Sequence, residues 1–295
     1  MRFYIVDVFA ESKYSGNQLA VVRDCARLDS SEMQKIASEM HFSETTFITS
    51  EDERVGGYDV RVFTPDAELP FAGHPTLGTA YIVQSQVIGK PVPRVNLNMK
   101  VGQIPVTFSY VGDKADVIWM RQKEPTFGNV FEPSQVKHIF GLNESDFDSR
   151  FPIMEVSTGV SFVMTPLKTL AAIQQIRFDY PASLEFLKGK ESMGFLVFAP
   201  ETYEKDNDLN VRVLGPSPST PEDPATGSAN GCLAAYLVKT GYMGKNEVNV
   251  RVEQGYEIKR KSLLLLRAHK SATGIEVNVG GRVQFIASGE LSDQG

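Results

Sequence analysis

The sequence predicts an α+β protein made of two similar domains, and three observations carry that expectation. Short β-rich runs recur along the whole chain. Only a few helical patterns separate them, without the strict alternation that a doubly wound sheet needs. The two halves of the chain also resemble each other in order and motif. At 295 residues the chain is longer than one average domain requires.

The clearest strand patterns cover residues 3–9, 20–23, 45–49, 58–64, 104–110, 117–120, 194–199, 210–214, 248–252, 262–268, 276–279 and 283–287. Asp29 is placed to cap a helix, with Glu32 at the capping-box distance and Met33, Ile36, Ala37 and Met40 forming one apolar stripe. Further helices are expected over 75–84, 134–140, 169–175, 181–187 and 228–239.

The internal repeat is sharpest where Glu68-Leu69-Pro70-Phe71-Ala72-Gly73-His74 aligns with Glu222-Asp223-Pro224-Ala225-Thr226-Gly227-Ser228. Each copy follows a Val-Arg-Val strand, at Val60-Arg61-Val62 and Val211-Arg212-Val213, and each leads into a helix of small residues. A fainter echo pairs residues 16–22 with 159–164. Two domains are therefore expected, 1–125 and 126–295, joined by a linker around 121–133, with the last strands free to return to the first domain.

Composition narrows the class. With 42% hydrophobic and 22% charged residues the chain is an ordinary globular sequence. Its net charge of -6 argues against a nucleic-acid partner. Cys25 and Cys232 are far apart and in no metal-ligand spacing, which suggests a reducing compartment. Asp7 interrupts the first apolar run, so no signal peptide is read there, and no window approaches the roughly 20 apolar residues of a membrane span. A cytoplasmic protein without membrane partners is the expectation.

Candidate chemistry gathers around the repeated loop. In both copies Gly precedes a helix start, with Pro75 suited to the first helical position and Ser228 to capping. Such starts present unpaired N–H groups and the positive end of the helix dipole, a natural site for a carboxylate, although they serve equally as structural caps. His74 lies on the first loop, where the dipole favours a neutral ring. Asp223 stands where the first half has Leu69. The run Ser43-Glu44-Thr45-Thr46 joins the capped helix to a strand, and flanking hydroxyls are expected to orient the Glu44 carboxyl, with an apolar cleft raising its pKa. There is no dinucleotide fingerprint, phosphate loop, nucleophile elbow or histidine cage. Acid–base chemistry with no cofactor and no metal is what remains.

At these residues the chain resembles the phenazine-biosynthesis isomerase family (PhzF-like), which has the diaminopimelate epimerase fold. The matching segments are Gly16-Asn17-Gln18-Leu19-Ala20-Val21-Val22, Ser43-Glu44-Thr45-Thr46-Phe47, Arg61-Val62-Phe63-Thr64-Pro65 with residues 68–80, and residues 222–236. The resemblance implies two pseudo-twofold-related domains, each a barrel-like sheet around a central helix, with the active site in the cleft between them. It also implies a cofactor-independent enzyme, commonly a homodimer. Glu44 takes the place of the family's catalytic glutamate, with His74, Asp223 and Ser228 as the groups that assist it. Asn17, Ser43, Gly73 and Gly227 take substrate-binding places. In the phenazine enzyme the glutamate shuttles a proton within trans-2,3-dihydro-3-hydroxyanthranilate. The cysteine pair of related racemases falls on Ala72 and Thr226, so a thiol-pair mechanism is not available. One departure is Gln18, where Pro often follows Gly-Asn.

The function expected is thus an isomerase that shifts a proton on a small carboxylate substrate. The alternative is a non-catalytic protein that binds small carboxylates as a sensor or regulator. A metal-dependent hydrolase built from Glu44, His74 and Asp223 is a third reading.

Overall fold

The computed structural model describes residues 1–50, 52–215, 221–272 and 274–292. The chain divides into two compact units, the first comprising Met1–Met120 and the segment from Gly280 on, the second Arg121–Val279. The division falls slightly ahead of the boundary expected at 125/126.

The first unit runs β1 (Arg2–Val8), β2 (Asn17–Arg23), α1 (Ser30–Met40), β3 (Glu44–Ile48), β4 (Tyr58–Phe63), β5 (Glu68–Leu69), α2 (Gly73–Ile82), β6 (Arg94–Met99), β7 (Gly102–Val111) and β8 (Lys114–Arg121). The second follows with β9 (Thr126–Phe131), α3 (Pro133–Phe140), β10 (Ile153–Ser157), β11 (Ser161–Pro166), α4 (Leu170–Gln175), α5 (Tyr180–Leu187), β12 (Ser192–Ala199), β13 (Leu209–Leu214), β14 (Glu222–Asp223), α6 (Gly227–Thr240), β15 (Glu247–Gln254), β16 (Ser262–Lys270) and β17 (Ile275–Gly281). The last strand, β18 (Val283–Glu290), pairs antiparallel with β1 in the first unit.

Strand pairing repeats between the units. In the first, β1 is antiparallel to β2, β2 parallel to β3, and β3 antiparallel to β4. Strand β4 pairs antiparallel with β5 and, beyond α2, parallel with β6, which turns back into β7. The second unit runs through the same order with β10, β11, β12, β13, β14, α6, β15 and β16. In each unit the helix after the short strand is the central one. Residues 74–80 of α2 and 229–238 of α6 are all buried, as a helix apolar or small on every side must be.

The repeat extends to side chains. Arg61 grips Glu68 through two bonds of 2.8 Å, and Arg212 grips Glu222 through bonds of 3.0 and 2.6 Å. Next to these pairs, Asn98 donates to Asp59 at 2.9 Å in the first unit, while in the second Asn210 donates to Glu253 at 3.3 Å. Both pairs occupy matching register positions, so the amide and the acid have exchanged strands. A chance similarity of strand–loop–helix units would not reproduce such partners.

Some expectations need correction. Residues 126–131, assigned to a linker, form β9, which pairs with β10. Strands β6, β10 and β11 were not anticipated as strands either, because Asn96 and Asn98 in β6 and Glu155 in β10 are poor strand formers on their own. Helix α2 begins at Gly73, so Pro75 sits at the third helical position, where its missing N–H is still one of the unpaired four. The N-cap of α6 is Thr226, and Ser228 lies inside the first turn instead of capping it. The capping box on α1 forms as its sequence indicates, with Asp29 and Glu32 bonding each other's backbone N–H at 2.9 and 2.8 Å. Among the described residues no helix is long and apolar enough to cross a membrane.

Candidate active site

Glu44 opens β3, and the period of two along a strand places Glu44 and Thr46 on one face. That face meets α2, where Thr46 Oγ1 lies 2.7 Å from Thr79 Oγ1 with both residues fully buried. Two strand residues advance roughly 6.6 Å and five helical residues roughly 7.5 Å. The hydroxyl pair therefore sets Glu44 level with the residue at position 74. There His74 Nε2 lies 3.4 Å from Glu44 Oε2.

The partners of His74 define its chemistry. Its Nε2 is 3.3 Å from the Gln18 carbonyl and its Nδ1 is 3.4 Å from Asn17 Nδ2. A carbonyl only accepts, so Nε2 carries the proton and Nδ1 accepts from the Asn17 amide. Burial drives the imidazole pKa down to about 3, with the Gln18 carbonyl pulling weakly the other way. Its contact with Glu44 is therefore the approach of a neutral ring rather than of an imidazolium, with the Nε2 proton given to the Gln18 carbonyl and no hydrogen bond made to Glu44 Oε2. The neutral ring lies against one carboxylate oxygen without neutralising its charge. The Glu44 side chain keeps 18% of its surface, enough for a small molecule to reach it.

A depressed imidazole pKa has a defined consequence for stability. The folded state binds this proton only below about pH 3, whereas the unfolded chain takes it up near pH 6.5. The stabilising difference is fully present above pH 6.5 and is lost as pH falls toward 3, at up to about 1.4 kcal/mol per pH unit. His74→Gln should accordingly flatten the dependence of unfolding free energy on pH between 6.5 and 4 by close to one proton. Denaturant titrations at several pH values check this, and an unchanged slope would contradict a buried neutral His74.

Of the flanking hydroxyls expected to orient Glu44, Thr45 does not. It points to the opposite face, and its Oγ1 is buried with no hydrogen-bond partner. Ser43 is half-buried at the entrance to β3.

The helix starts carry a second signal. Helices α1, α4 and α5 are capped by the side chains of Asp29, Thr169 and Asp179. Neither α2 nor α6 has a side-chain cap. Their first-turn N–H groups, at Gly73 and His74 and at Gly227 and Ser228, are therefore left to water or to an anion. Ala72 and Thr226, the positions matched to racemase cysteines, are the two N-cap residues.

In the second unit Asp223 is half-buried on β14, and Thr226 Oγ1 donates to its Oδ2. Ser228 is half-buried in the first turn of α6. The structure thus brings Asn17, Glu44 and His74 together in one unit, and Asp223 and Thr226 in the other. Asn230 and Gln254, both fully buried beside Thr226, were not anticipated. A signal for Gln254 existed: Val248, Val250 and Val252 alternate inward along β15, and a glutamine continues that face. Among the described residues no group of three or more His, Cys, Asp or Glu side chains is placed to hold a metal ion.

A two-unit α+β chain of this kind has known relatives. The family profile described as phenazine biosynthesis-like protein fits residues 6–289. An uncharacterised isomerase of Clostridium acetobutylicum is 31% identical over 295 residues, covering 98% of this chain and 97% of its own. The trans-2,3-dihydro-3-hydroxyanthranilate isomerase of Pseudomonas aeruginosa is 31% identical over 289 residues, covering 98% of each chain. The crystal structure of a Bacillus anthracis phenazine biosynthesis protein of the PhzF family superposes with a TM-score of 0.87 at 26% identity, covering 99% of each chain. The chain belongs to the phenazine biosynthesis-like (PhzF) family, and it is an isomerase.

Proposed function

We propose that this isomerase shifts a proton on a small carboxylate-bearing substrate, of which trans-2,3-dihydro-3-hydroxyanthranilate is the first candidate. The observation that carries the reading is the 3.4 Å contact of Glu44 Oε2 with a histidine that burial keeps neutral. A carboxylate so placed takes a proton from a carbon acid, the bonding electrons pass into a conjugated enolate-like system, and the carboxyl, its proton exchanging with solvent, delivers a proton to a second carbon. Substrate and product have the same atoms and oxidation state, so no oxidant or reductant is consumed. The uncapped N–H groups at Gly73 and His74 and at Gly227 and Ser228 suit the substrate carboxylate and the charge that develops. Asp223 and Ser228 are assigned to the same reaction. The thiol-free N-cap positions Ala72 and Thr226 favour a one-carboxylate shift over inversion by opposed thiols.

Absorbance-monitored turnover of trans-2,3-dihydro-3-hydroxyanthranilate tests the reading, with a chelator control. Conversion unaffected by the chelator is expected. Failure of the folded protein to convert it would eliminate this substrate, and a chelator-sensitive rate would contradict cofactor-free chemistry.

A further inference from the structure

The two units offer an internal comparison. Helices α2 and α6 start after equivalent loops, yet the side chains that secure those starts differ. In the first unit Thr76 Oγ1 donates to the Ala72 carbonyl at 2.7 Å and lies 3.7 Å from Met99 Sδ. In the second, Asn230 takes that place, donating to the Thr226 carbonyl at 3.0 Å and to Gln254 Oε1 at 2.8 Å. Strand register agrees: Gln254 follows the Asn210–Glu253 pair as Met99 follows the Asp59–Asn98 pair. Where one unit has a thioether, the other buries an amide completely.

That amide is heavily used. Gln254 Oε1 also accepts from the Thr226 N–H at 3.1 Å, while Nε2 donates to the Asp223 carbonyl at 2.8 Å and to Thr226 Oγ1 at 3.1 Å. The helix start alone does not demand this, since Met99 serves the same position in the first unit. What the second unit adds is a carboxylate, Asp223, at the strand position that Leu69 holds in the first. The donation from Gln254 occupies a lone pair of Thr226 Oγ1. The Thr226 proton is thereby directed away from the amide, toward Asp223 Oδ2.

We propose that Gln254 is a positioning residue for the reaction, fixing the Asp223 carboxylate through the Thr226 hydroxyl and the Asp223 backbone. This rests on the assignment of Asp223 to the active site made above. The clamp holds loop and hydroxyl together, so that Asp223 meets substrate in one orientation and with one hydrogen bond already made.

The test compares Gln254→Met, Thr226→Val, Thr226→Ser and Asp223→Asn with wild type. The methionine variant copies the first unit's own solution, and the threonine variants reach the same relay from its other end should Gln254→Met fold poorly. The first readout is the titration of the Asp223 carboxyl carbon by NMR, which needs no substrate. Loosening a donor to the charged form should raise its midpoint by about half a pH unit or more in Gln254→Met and Thr226→Val, with Thr226→Ser close to wild type. The second is a fall in kcat of roughly tenfold or more with KM changed less than about threefold. An unmoved midpoint in Gln254→Met and Thr226→Val would overturn the clamp. Full kcat in Asp223→Asn would instead overturn the role of Asp223 on which the proposal rests, and the titration tells the two failures apart.

Discussion

Glu44→Gln is expected to lower kcat by at least about a hundredfold with little change in KM, because removal of a general base typically costs a factor of 10² to 10⁴. The substitution is nearly isosteric. It leaves the Thr46–Thr79 hydroxyl pair that seats β3 against α2, and the amide fits the same 3.4 Å approach to His74 Nε2. What it removes is the capacity to take a proton. Binding, which draws on the helix-start N–H groups in this account, should survive. Melting temperature should stay close to wild type, since the side chain lies at the edge of the buried layer. A variant that lost activity by unfolding would show a lower melting temperature, so steady-state kinetics and thermal unfolding together decide the cause.

Gly255→Ala should be the most damaging single-methyl change near the second helix start, costing about 2–4 kcal/mol of stability. Gly255 follows Gln254 with φ +76°, a left-handed conformation that favours glycine. An added Cβ would lie 2.4 Å from the Arg260 carbonyl oxygen and 2.7 Å from the Pro224 carbonyl oxygen. Both are backbone atoms and cannot swing aside. Relief must displace either the turn at Arg260 or Pro224, which directly follows Asp223. Activity should therefore fall together with stability. Gly244 is the control: its φ is +70°, but a Cβ there would meet nothing within 4 Å. Gly244→Ala should cost only about 1 kcal/mol and leave turnover unchanged. Denaturant unfolding of the two variants measures the difference, and equal losses would show that strain alone, not close approach, governs Gly255.

The sequence made the repeat legible because its carriers are short-range: Arg between two valines of a strand, Glu at its return, Pro and Gly at the approach to and start of a helix. The capping box at Asp29 is equally local. Strands β9 and β10 were illegible for the opposite reason. Glu155 is an unlikely strand residue until Asn129 and Ser192, far away in the chain, are seen to bond its two oxygens at 2.7 and 3.0 Å. Gly128 and Asn129 read as a turn until Glu155 is beside them. Glu44 and His74 were each visible as candidates. Their contact depends on β3 and α2 lying level through a hydroxyl pair that no spacing rule reveals. The Gln254 clamp was hidden in the same way, its partners spread over β14, α6 and the end of β15.

Solvent-deuterium incorporation tests most directly whether Glu44 carries the proton. Wild type and Glu44→Gln are incubated with trans-2,3-dihydro-3-hydroxyanthranilate in D₂O, and deuterium at carbon is followed by NMR. Deuterium is expected at the carbon that receives the proton in the wild-type product, and none above background with Glu44→Gln over the same time. Incorporation by Glu44→Gln at the wild-type rate would contradict that role.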